Sequence, residues 1–397
     1  MLGLLGLLAA GCAGDDHPSS EDVRQAAPEW RAEPELRIGS LDGPDHLTQV
    51  TQALLGPSGE LIISQPRDLT VRIHDPSGDP VATVGQRGEG PGESQWLGPM
   101  WLSGGTLRVS DRNLGRVSAF DLEGEVLFTR RWLSGTGEMG EPGLQLTPPR
   151  MTLQNGTALV RPWPLTPFIP PDEEVQEVDS IPILRIDGDG ETQDTLAMAE
   201  EDRTRVPVES GGEAYPLSPP FPDAPLLEFV PDGEGLAFVR RRVGETADAA
   251  EFTVGRIDAQ GDTVMEVSLP YDPVPVSSEI LASAIQNKAE ELEARYGAAP
   301  APQDAEQALE RTGFVPETLP PVTDLVVGRD GSIWLRGEAL PKDSVRWSAL
   351  DSEGRIQGRT SLPRGQSISD ADGDVVVTIQ QGEFDEHYVT RHRLRDP

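Results

Sequence analysis

The sequence is poor in several residue types on which common protein chemistries depend. Cys12 is the single cysteine among 397 residues, which excludes a fold held together by disulfide bonds. The chain has five histidines and only two lysines, Lys288 and Lys342. It contains neither a Gly-x-Ser-x-Gly nucleophile motif nor a Gly-x-x-x-x-Gly-Lys phosphate-binding motif. The sequence therefore carries no signature of a common serine hydrolase or nucleotide-binding enzyme.

Basic charge is also scarce, and the balance is strongly negative. The formal net charge is -34 at pH 7, and the isoelectric point is near 4.4. Such a surface repels phosphate backbones, so we expect no nucleic-acid partner. Hydrophobic residues make up 36% of the chain, which is enough to bury a core. The 42 glycines and 37 prolines favour short strands joined by turns over long helices.

Residues 1–10 form one apolar run, which is shorter than the roughly 20 apolar residues that span a bilayer. This run and the following Gly11 and Cys12 resemble the signal peptide and lipobox of bacterial lipoproteins. The alternative is a translated leader with a chance cysteine. We expect a signal peptide at 1–11, a lipid on Cys12 and a polar flexible tether at 12–34. The protein would then be extracytoplasmic and held to a bacterial membrane by lipid alone, at the outer membrane or cell surface rather than the inner membrane.

Two short patterns recur along the rest of the chain. The first is a glycine followed by an apolar strand, at 59–64, 105–110, 156–161, 235–240, 331–336 and 373–378. The second is an apolar strand that ends in an Asp-containing turn closed by glycine, at 71–78, 117–124, 183–190, 254–261 and 347–354. Six modules of four antiparallel strands, a to d, predict an all-β, six-bladed β-propeller over residues 35–397.

The sixth module lacks its own strand d after the segment 388–394. Residues 35–39 and the segment that follows them are similar to strand d of the first module and its following loop. We therefore predict that 35–39 pair with 388–394. This pairing would close the ring and cover a strand edge that would otherwise stay open.

Two segments carry a family resemblance. The segment 85–92 (GQRGEGPG) resembles the loop between blades of NHL-type propellers, and 111–121 (DRNLGRVSAFD) resembles their connection from strand b to strand c. The chain as a whole resembles the six-bladed propeller lipoproteins of bacteria. This resemblance implies a fold and a compartment but no particular activity.

The long connections of the predicted propeller all fall on one face. They join strand b to c or strand d to the next strand a, whereas the other turns are short. The longest, with a helical insertion at 275–318, has a capping serine at 278 and apolar residues at helical spacing. One interpretation is a lid over the central channel; the other is a packed insertion that only widens the face.

Three arginines occupy the same position at the end of strand b in consecutive modules. They are Arg161, Arg240 and Arg336, and Arg112 and Arg116 lie close to an equivalent position. Converging guanidinium groups suit carboxylate, sulfate or phosphate groups, because they form bidentate hydrogen bonds. We therefore predict an anion-binding cluster on the long-loop face. The alternative is that these arginines neutralise nearby carboxylates or cover apolar surface.

Trp163 lies between two prolines in a predicted long loop. An exposed tryptophan at this position could stack against a sugar ring, whereas the other tryptophans fit packing roles between blades.

Four acidic or amide residues are placed so that they could meet at the mouth of the channel. Glu228 and Asp324 begin strand a of their modules, and Asp111 and Asn113 follow strand b. Oxygen ligands of this kind suit calcium. No other cofactor is predicted.

Together, these features favour a monomeric, lipid-anchored propeller that binds or scaffolds through its long-loop face. The expected partner is an anionic small molecule, a glycan or an envelope protein. The alternative is a metal-dependent hydrolase or lyase with a calcium site at the channel mouth. The scarcity of histidine favours binding over catalysis.

Overall fold

A computed structural model of the chain describes residues 27–131, 144–145, 149–152, 157–161, 163–164, 180–187, 192–199, 206–222, 224–233, 235–241, 250–313, 315–337 and 344–396. In chain order its strands are β1 (Glu29–Ile38), β2 (Leu47–Thr48), β3 (Gln52–Leu55), β4 (Leu61–Gln65), β5 (Thr70–His74), β6 (Pro80–Val84), β7 (Met100–Ser103), β8 (Thr106–Asp111), β9 (Arg116–Phe120), β10 (Val126–Arg131), β11 (Leu144–Gln145), β12 (Met151–Thr152), β13 (Ala158–Val160), β14 (Trp163–Pro164), β15 (Ile181–Ile186), β16 (Thr192–Ala199), β17 (Val206–Ser210), β18 (Glu213–Leu217), β19 (Leu226–Val230), β20 (Gly235–Arg240), β21 (Glu251–Asp258), β22 (Thr263–Pro270), β23 (Asp324–Val327), β24 (Ile333–Arg336), β25 (Ser344–Leu350), β26 (Ile356–Pro363), β27 (Gln366–Asp372), β28 (Val375–Gln381) and β29 (Glu386–Arg395). The α-helices are α1 (Ser278–Tyr296) and α2 (Pro302–Thr312), and a 3-10 turn covers Pro231–Gly233.

Most strands belong to antiparallel four-stranded sheets that follow chain order. Separate sheets of this kind are formed by β3 to β6, by β7 to β10, by β12, β13, β15 and β16, and by β19 to β22. A nine-stranded sheet has the order β23-β24-β25-β26-β1-β29-β28-β27, with β2 attached to β29. The fold is therefore all-β with few helices. In the described part of the chain, four four-stranded sheets and one large sheet carry most of the strands.

The middle strands of the sheets are buried because neighbouring sheets cover both of their faces. Every residue of β4 (LIISQ) and of β9 (RVSAF) is buried, including the polar residues Ser64, Gln65, Arg116 and Ser118. One core cluster joins Ile62 and Val71 of the first sheet to Met100 and Leu107 of the second. Another joins Ala53 of the first sheet to Val377 and Val389 of the last strands. The sheets thus pack face to face in succession.

The first strand of each module lies at the centre. The strands β3, β7, β12, β19, β23 and β27 all contribute residues to the wall of one cavity. Short antiparallel sheets whose first strands surround a common cavity form a propeller-like arrangement.

The turns between strands c and d follow the chemistry that the sequence suggested. Asp75 accepts hydrogen bonds at its Oδ1 from the backbone N–H groups of Ser77 and Asp79, at 2.8 and 3.0 Å. The turn closes at Gly78, whose φ of 95° is in the left-handed region that glycine tolerates. Asp258 and Asp351 make the same pair of bonds in their own modules. The recurring Asp-x-x-Gly pattern is therefore a hairpin turn.

The predicted pairing of the two chain ends is confirmed. In β1 and β29, Leu36 pairs with Arg391 and Ile38 pairs with Val389, in antiparallel register. The strand is longer than expected, because it begins at Glu29, inside the segment 12–34 that the sequence assigned to a tether. Its first residues form parallel pairs with β26, the outermost strand of the preceding module.

Trp30 explains why the strand extends toward the N-terminus. Its indole ring lies against Gly358 on β26, where a Cβ atom would come within 2.4 Å of the ring. Its ring centroid is 6.1 Å from that of buried Trp334. The backbone N–H of Arg359 also donates to the carbonyl of Pro28, at 2.9 Å. Residues 28–30 are thus packed against the preceding module.

The insertion at 275–318 contains the two helices. The N-cap of α1 is Ser277 rather than Ser278, and its side chain accepts a hydrogen bond from the N–H of Ile280. Both helices pack on the hairpin β17–β18 in a core that is separate from the sheets, with Val206, Leu281 and Leu309 at its centre. No helix in the described ranges is long and apolar enough to cross a membrane.

Candidate functional site

The central cavity has a volume of about 640 Å³. Its wall is largely apolar. The apolar residues include Leu54, Met100, Trp101, Leu102, Phe229, Leu325 and Val327. The charged residues in the wall are Arg150, Glu228, Asp324, Arg329 and Asp370. A cavity of this size, apolar with a few polar groups, has the dimensions and composition of a small-molecule site.

Around the cavity, side chains form hydrogen bonds with backbone groups at the unpaired edges of the inner strands. Each inner strand has one edge without a strand partner, so its backbone groups need other partners. The side-chain amide of Gln52 accepts from the N–H of Met100 at 2.9 Å and donates to the carbonyl of the same residue at 3.2 Å. On the other side of β3, the hydroxyl of Ser369 accepts from the N–H of Ala53 at 2.8 Å. These bonds hold the cavity wall without occupying the cavity.

Among the residues that the structure describes, three charged side chains from consecutive modules have no ion-pair partner in the cavity wall. Arg150 precedes β12 and is exposed to the cavity, Glu228 lies in the middle of β19, and Asp324 begins β23. Glu228 accepts one hydrogen bond, from the N–H of Phe229, and Asp324 one, from Leu325. Each carboxyl group therefore keeps one oxygen that bonds to no described residue.

These three groups influence one another electrostatically. Burial raises the pKa of Glu228, and the neighbouring Asp324 raises it further, whereas Arg150 opposes the shift. Burial likewise raises the pKa of Asp324, with Arg336 opposing it. Desolvation by the surrounding protein lowers the pKa of Arg150. The carboxyl group of Glu228 raises this pKa, and the positive charge of Arg161 lowers it. These interactions and the strand pairing of Asp324 with Arg336 link five side chains, called the charged arc below, in the order Arg161, Arg150, Glu228, Asp324 and Arg336.

The predicted cluster of three strand-ending arginines does not surround the cavity. Arg161 and Arg336 lie at the two ends of the charged arc, and Arg336 is in register with Asp324 on the adjacent strand. Arg240 is exposed, pairs with Glu266 at 3.2 Å and lies over the ring of Phe238. None of these three arginines lines the cavity. Equivalent sequence positions place them at strand ends, but their neighbours differ: Arg240 pairs with Glu266, whereas Arg161 and Arg336 adjoin charged residues of the cavity wall.

Arg112 and Arg116 have structural contacts. The guanidinium group of Arg116 donates to the carbonyls of Glu89, Gly90 and Glu93, at 2.7 to 2.8 Å. It therefore shapes the loop that precedes β7 and is not available to an anion. Arg112 is exposed and its guanidinium carbon lies 4.8 Å from the ring centroid of Trp96.

The four residues proposed for calcium do not come together. Glu228 and Asp324 are in the cavity wall, but Asp111 is buried and accepts backbone hydrogen bonds from Gln95, Trp96, Asn113 and Leu114. The side chain of Asn113 is exposed on the turn after β8. Within the described ranges, no group of three His, Cys, Asp or Glu side chains could hold a metal ion.

Calcium takes six to eight oxygen ligands, whereas this part of the described cavity wall brings only two carboxyl groups together. The pair Glu228 and Asp324, with Arg150 and Arg336 next to it, therefore does not fit a resident calcium ion.

Two predicted sites lie where little can be described. Cys12 is outside the described residues. Trp163 forms part of β14, which pairs with β11, and its side chain is outside the description. The described residues that line the cavity include two tryptophans, partly buried Trp96 in the connection that leads to β7 and buried Trp101 on β7.

Sequence reasoning missed three charged residues of the cavity. Arg150 stands before a strand of only two residues, Arg329 follows β23, and Asp370 lies within β27. None of them belongs to either repeated pattern, so no periodic signal marked them. The signal that could have found them is a charged residue within or directly beside an inner strand.

No family model matches the chain, and no curated protein sequence matches it. Several solved structures are similar in shape. A DUF4221 family member from Bacteroides vulgatus is 10% identical, with 94% of this chain and 100% of that chain covered, at a TM-score of 0.49. A Bacteroides fragilis protein described as exported is 10% identical, with 96% and 97% covered, at 0.45. The calcium-binding protein regucalcin from Agrobacterium tumefaciens is 10% identical, with 93% and 96% covered, at 0.38.

Proposed function

We propose that this protein is a binding module whose ligand occupies the central cavity. One observation carries the proposal: Arg150, Glu228 and Asp324 face a cavity of about 640 Å³, and none of them forms an ion pair with another described residue. Charged groups in a mostly apolar wall are costly unless something pairs with them. A bound molecule that carries polar or charged groups would supply the missing partners.

We further propose that the ring has six blades. The nine-stranded sheet divides into two runs of four strands, β23 to β26 and β27 to β29 with β1, and each run resembles one of the separate sheets. The two runs are joined by only two residue pairs, Glu29 with Arg359 and Trp30 with Thr360. The inner strands of both runs, β23 and β27, reach the cavity. These features support counting the large sheet as two blades.

The proposed setting is outside the cytoplasm, with a monomeric propeller held to a membrane by lipid on Cys12. Support comes from the apolar run at 1–10 followed by Gly11 and Cys12. An anionic small molecule, a glycan or an envelope protein remain the partner classes that the sequence favours. The cavity favours a small molecule, because its charged groups face inward.

The test is a thermal-shift and calorimetric screen against separate panels of sugars, dicarboxylates, amines and short peptides. We expect at least one panel to stabilise the protein, and we expect the double variant Arg150→Gln with Glu228→Gln to lose that effect. The matched control removes two exposed charges of the same types, Arg131→Gln with Glu123→Gln, and keeps the effect. Equal binding by the wild type and the cavity variant would contradict the proposal.

The same screen separates a binding module from a metal-dependent enzyme. Stoichiometric calcium that a chelator removes, with loss of thermal stability, would support the metal-dependent alternative. Unchanged stability on addition and removal of calcium would support the binding module.

A further inference from the structure

The charged arc presents both signs of charge to the same space. Arg150 comes from the third module, whereas Glu228 and Asp324 come from the fourth and fifth. Along the arc, Arg150 is therefore followed by the two neighbouring carboxyl groups, and Arg336, which does not line the cavity, lies beside Asp324. These opposite charges face the cavity instead of pairing with each other, although each is close enough to shift the pKa of its neighbour.

The other two charged groups of the wall are already engaged. Asp370 accepts backbone hydrogen bonds from Leu55 and Ala371, and Arg329 donates to the carbonyl of Leu55. These two side chains therefore hold strand edges in place, and their hydrogen-bonding groups are largely used by the protein itself. The groups left for a ligand are Arg150 and the free oxygens of the two carboxyl groups.

The remainder of the wall is suited to an apolar body. Met100, Leu102 and Phe229 line the cavity together with Leu325 and Val327. A ligand that is only a charged group would leave this surface in contact with water. A ligand with aliphatic parts would bury it, which is favourable by about 25 cal/mol per Å² of apolar area.

We propose that the ligand is a zwitterion with apolar side chains, namely an amino acid or a short peptide. This inference rests on the proposed function. Arg150 would bind the carboxylate of the ligand, and Glu228 with Asp324 would bind its ammonium group. The adjacent carboxyl groups repel each other when both are ionised, and an ammonium ion between them removes that repulsion. Glu228 and Asp324 would repel a simple anion, and Arg150 would repel a simple cation. Neither ligand therefore suits all three charged groups that line the cavity.

The experiment is calorimetric titration with three probes that differ only at their ends. They are leucyl-leucine, N-acetyl-leucyl-leucine and leucyl-leucine amide. We expect the free dipeptide to bind and each capped form to bind about tenfold or more weakly, since each lacks one charge-assisted interaction.

Two single variants test which residue binds which end. Arg150→Gln weakens binding of the free dipeptide but changes binding of the amide little, because the amide has no carboxylate to lose. Glu228→Gln weakens binding of the free dipeptide but changes binding of the N-acetyl form little. Arg131→Gln and Glu123→Gln are the matched controls, and circular dichroism checks that every variant is folded.

The outcomes separate this inference from the proposed function. Equal binding of free and capped dipeptides overturns the zwitterion and leaves the cavity as a binding site. The same holds if no peptide binds while a sugar or dicarboxylate binds and is lost in the double variant. Absence of binding by every panel overturns both.

Discussion

The carboxylate of Asp370 accepts a hydrogen bond from the backbone N–H of Leu55 at 2.7 Å, which joins the inner strand of the last module to that of the first. The other carboxylate oxygen accepts from the N–H of Ala371 at 2.8 Å. Arg329, from the module before, donates to the carbonyl of the same Leu55. One backbone unit is thus held by side chains from two other modules. The junction between the chain ends is therefore secured at the centre as well as at the rim.

The Asp370 contact predicts a dependence of stability on pH. Burial raises the pKa of Asp370 to about 7, whereas an unfolded aspartate has a pKa of about 4. Between these values Asp370 stays protonated in the folded protein but ionises in the unfolded chain, so the free energy of unfolding falls as pH rises from about 4 to about 7. Asp370→Asn cannot titrate. The free energy of unfolding of this variant, minus that of the wild type, should therefore increase by at most about 4 kcal/mol between pH 4 and pH 7.

Urea unfolding at pH 4, 5, 6, 7 and 8 measures this difference. Asp42→Asn, at an exposed position, is the control for loss of a carboxylate, because Asp42 is not among the groups that shift the pKa of Asp370. A constant difference between wild type and Asp370→Asn at all five pH values would contradict the prediction.

Arg116 should behave as a structural residue. Arg116→Gln removes hydrogen bonds to three loop carbonyls, and we expect it to lower the free energy of unfolding by about 2–4 kcal/mol. Arg112→Gln removes only an exposed contact with Trp96, and we expect a loss below about 1 kcal/mol. Chemical denaturation compares the two. Similar small losses for both variants would show that the loop does not depend on Arg116.

The start of the folded unit can be located by truncation. A chain that begins at Pro28 keeps Trp30 and its contact with Gly358, whereas a chain that begins at Glu35 loses both. We expect the first to unfold like the full chain and the second to lose roughly 2–4 kcal/mol. Trp30→Ala in the full chain should reproduce much of this loss. Equal stability of the two truncated chains would place the start of the folded unit at residue 35, as predicted from the sequence.

Glu35 links the chain ends through charge. Its carboxylate lies 2.8 Å from Arg393 and 3.6 Å from Arg391, and the hydrogen bond from Arg393 is the largest cause that lowers the pKa of Glu35. A lowered carboxyl pKa adds stability above the unfolded pKa, and that stability is lost as pH falls through the folded value. Glu35→Gln should therefore cost up to about 1 kcal/mol at pH 7 and less at pH 3. A loss that grows on acidification would contradict this direction.

Lipid attachment is tested by Cys12→Ser in the native host. We expect the wild type to partition into the detergent phase and the membrane fraction, and the variant to remain in the aqueous phase, because acyl chains supply the membrane affinity. Radiolabelled palmitate should label only the wild type. Equal partitioning of both forms would favour the translated leader with a chance cysteine.

The strands and turns could be predicted because they repeat. The glycine before strand b and the Asp-x-x-Gly turn between c and d recur in register, and each has a local physical reason. The contacts of the side chains near the cavity do not repeat from module to module in this way. Asp111 and Arg336 both end a strand b, yet Asp111 binds four N–H groups of nearby loops while Arg336 lies beside Asp324.

The ligand assignments depended on side-chain direction, which a repeat does not encode. Glu228 and Asp324 were found because they lie on inner strands. Arg150 was missed because its strand has only two residues, Met151 and Thr152, and resembles no other copy.

The position of Trp30 has a mechanical consequence if the chain is pulled from a membrane. Tension applied through residues before 28 would reach the indole that lies on Gly358 and the parallel pairs with β26 before it reached the antiparallel ladder between β1 and β29. The first contact to yield would then be a local one, at the outer rim. The seam that holds the ends of the polypeptide together would be shielded from the load.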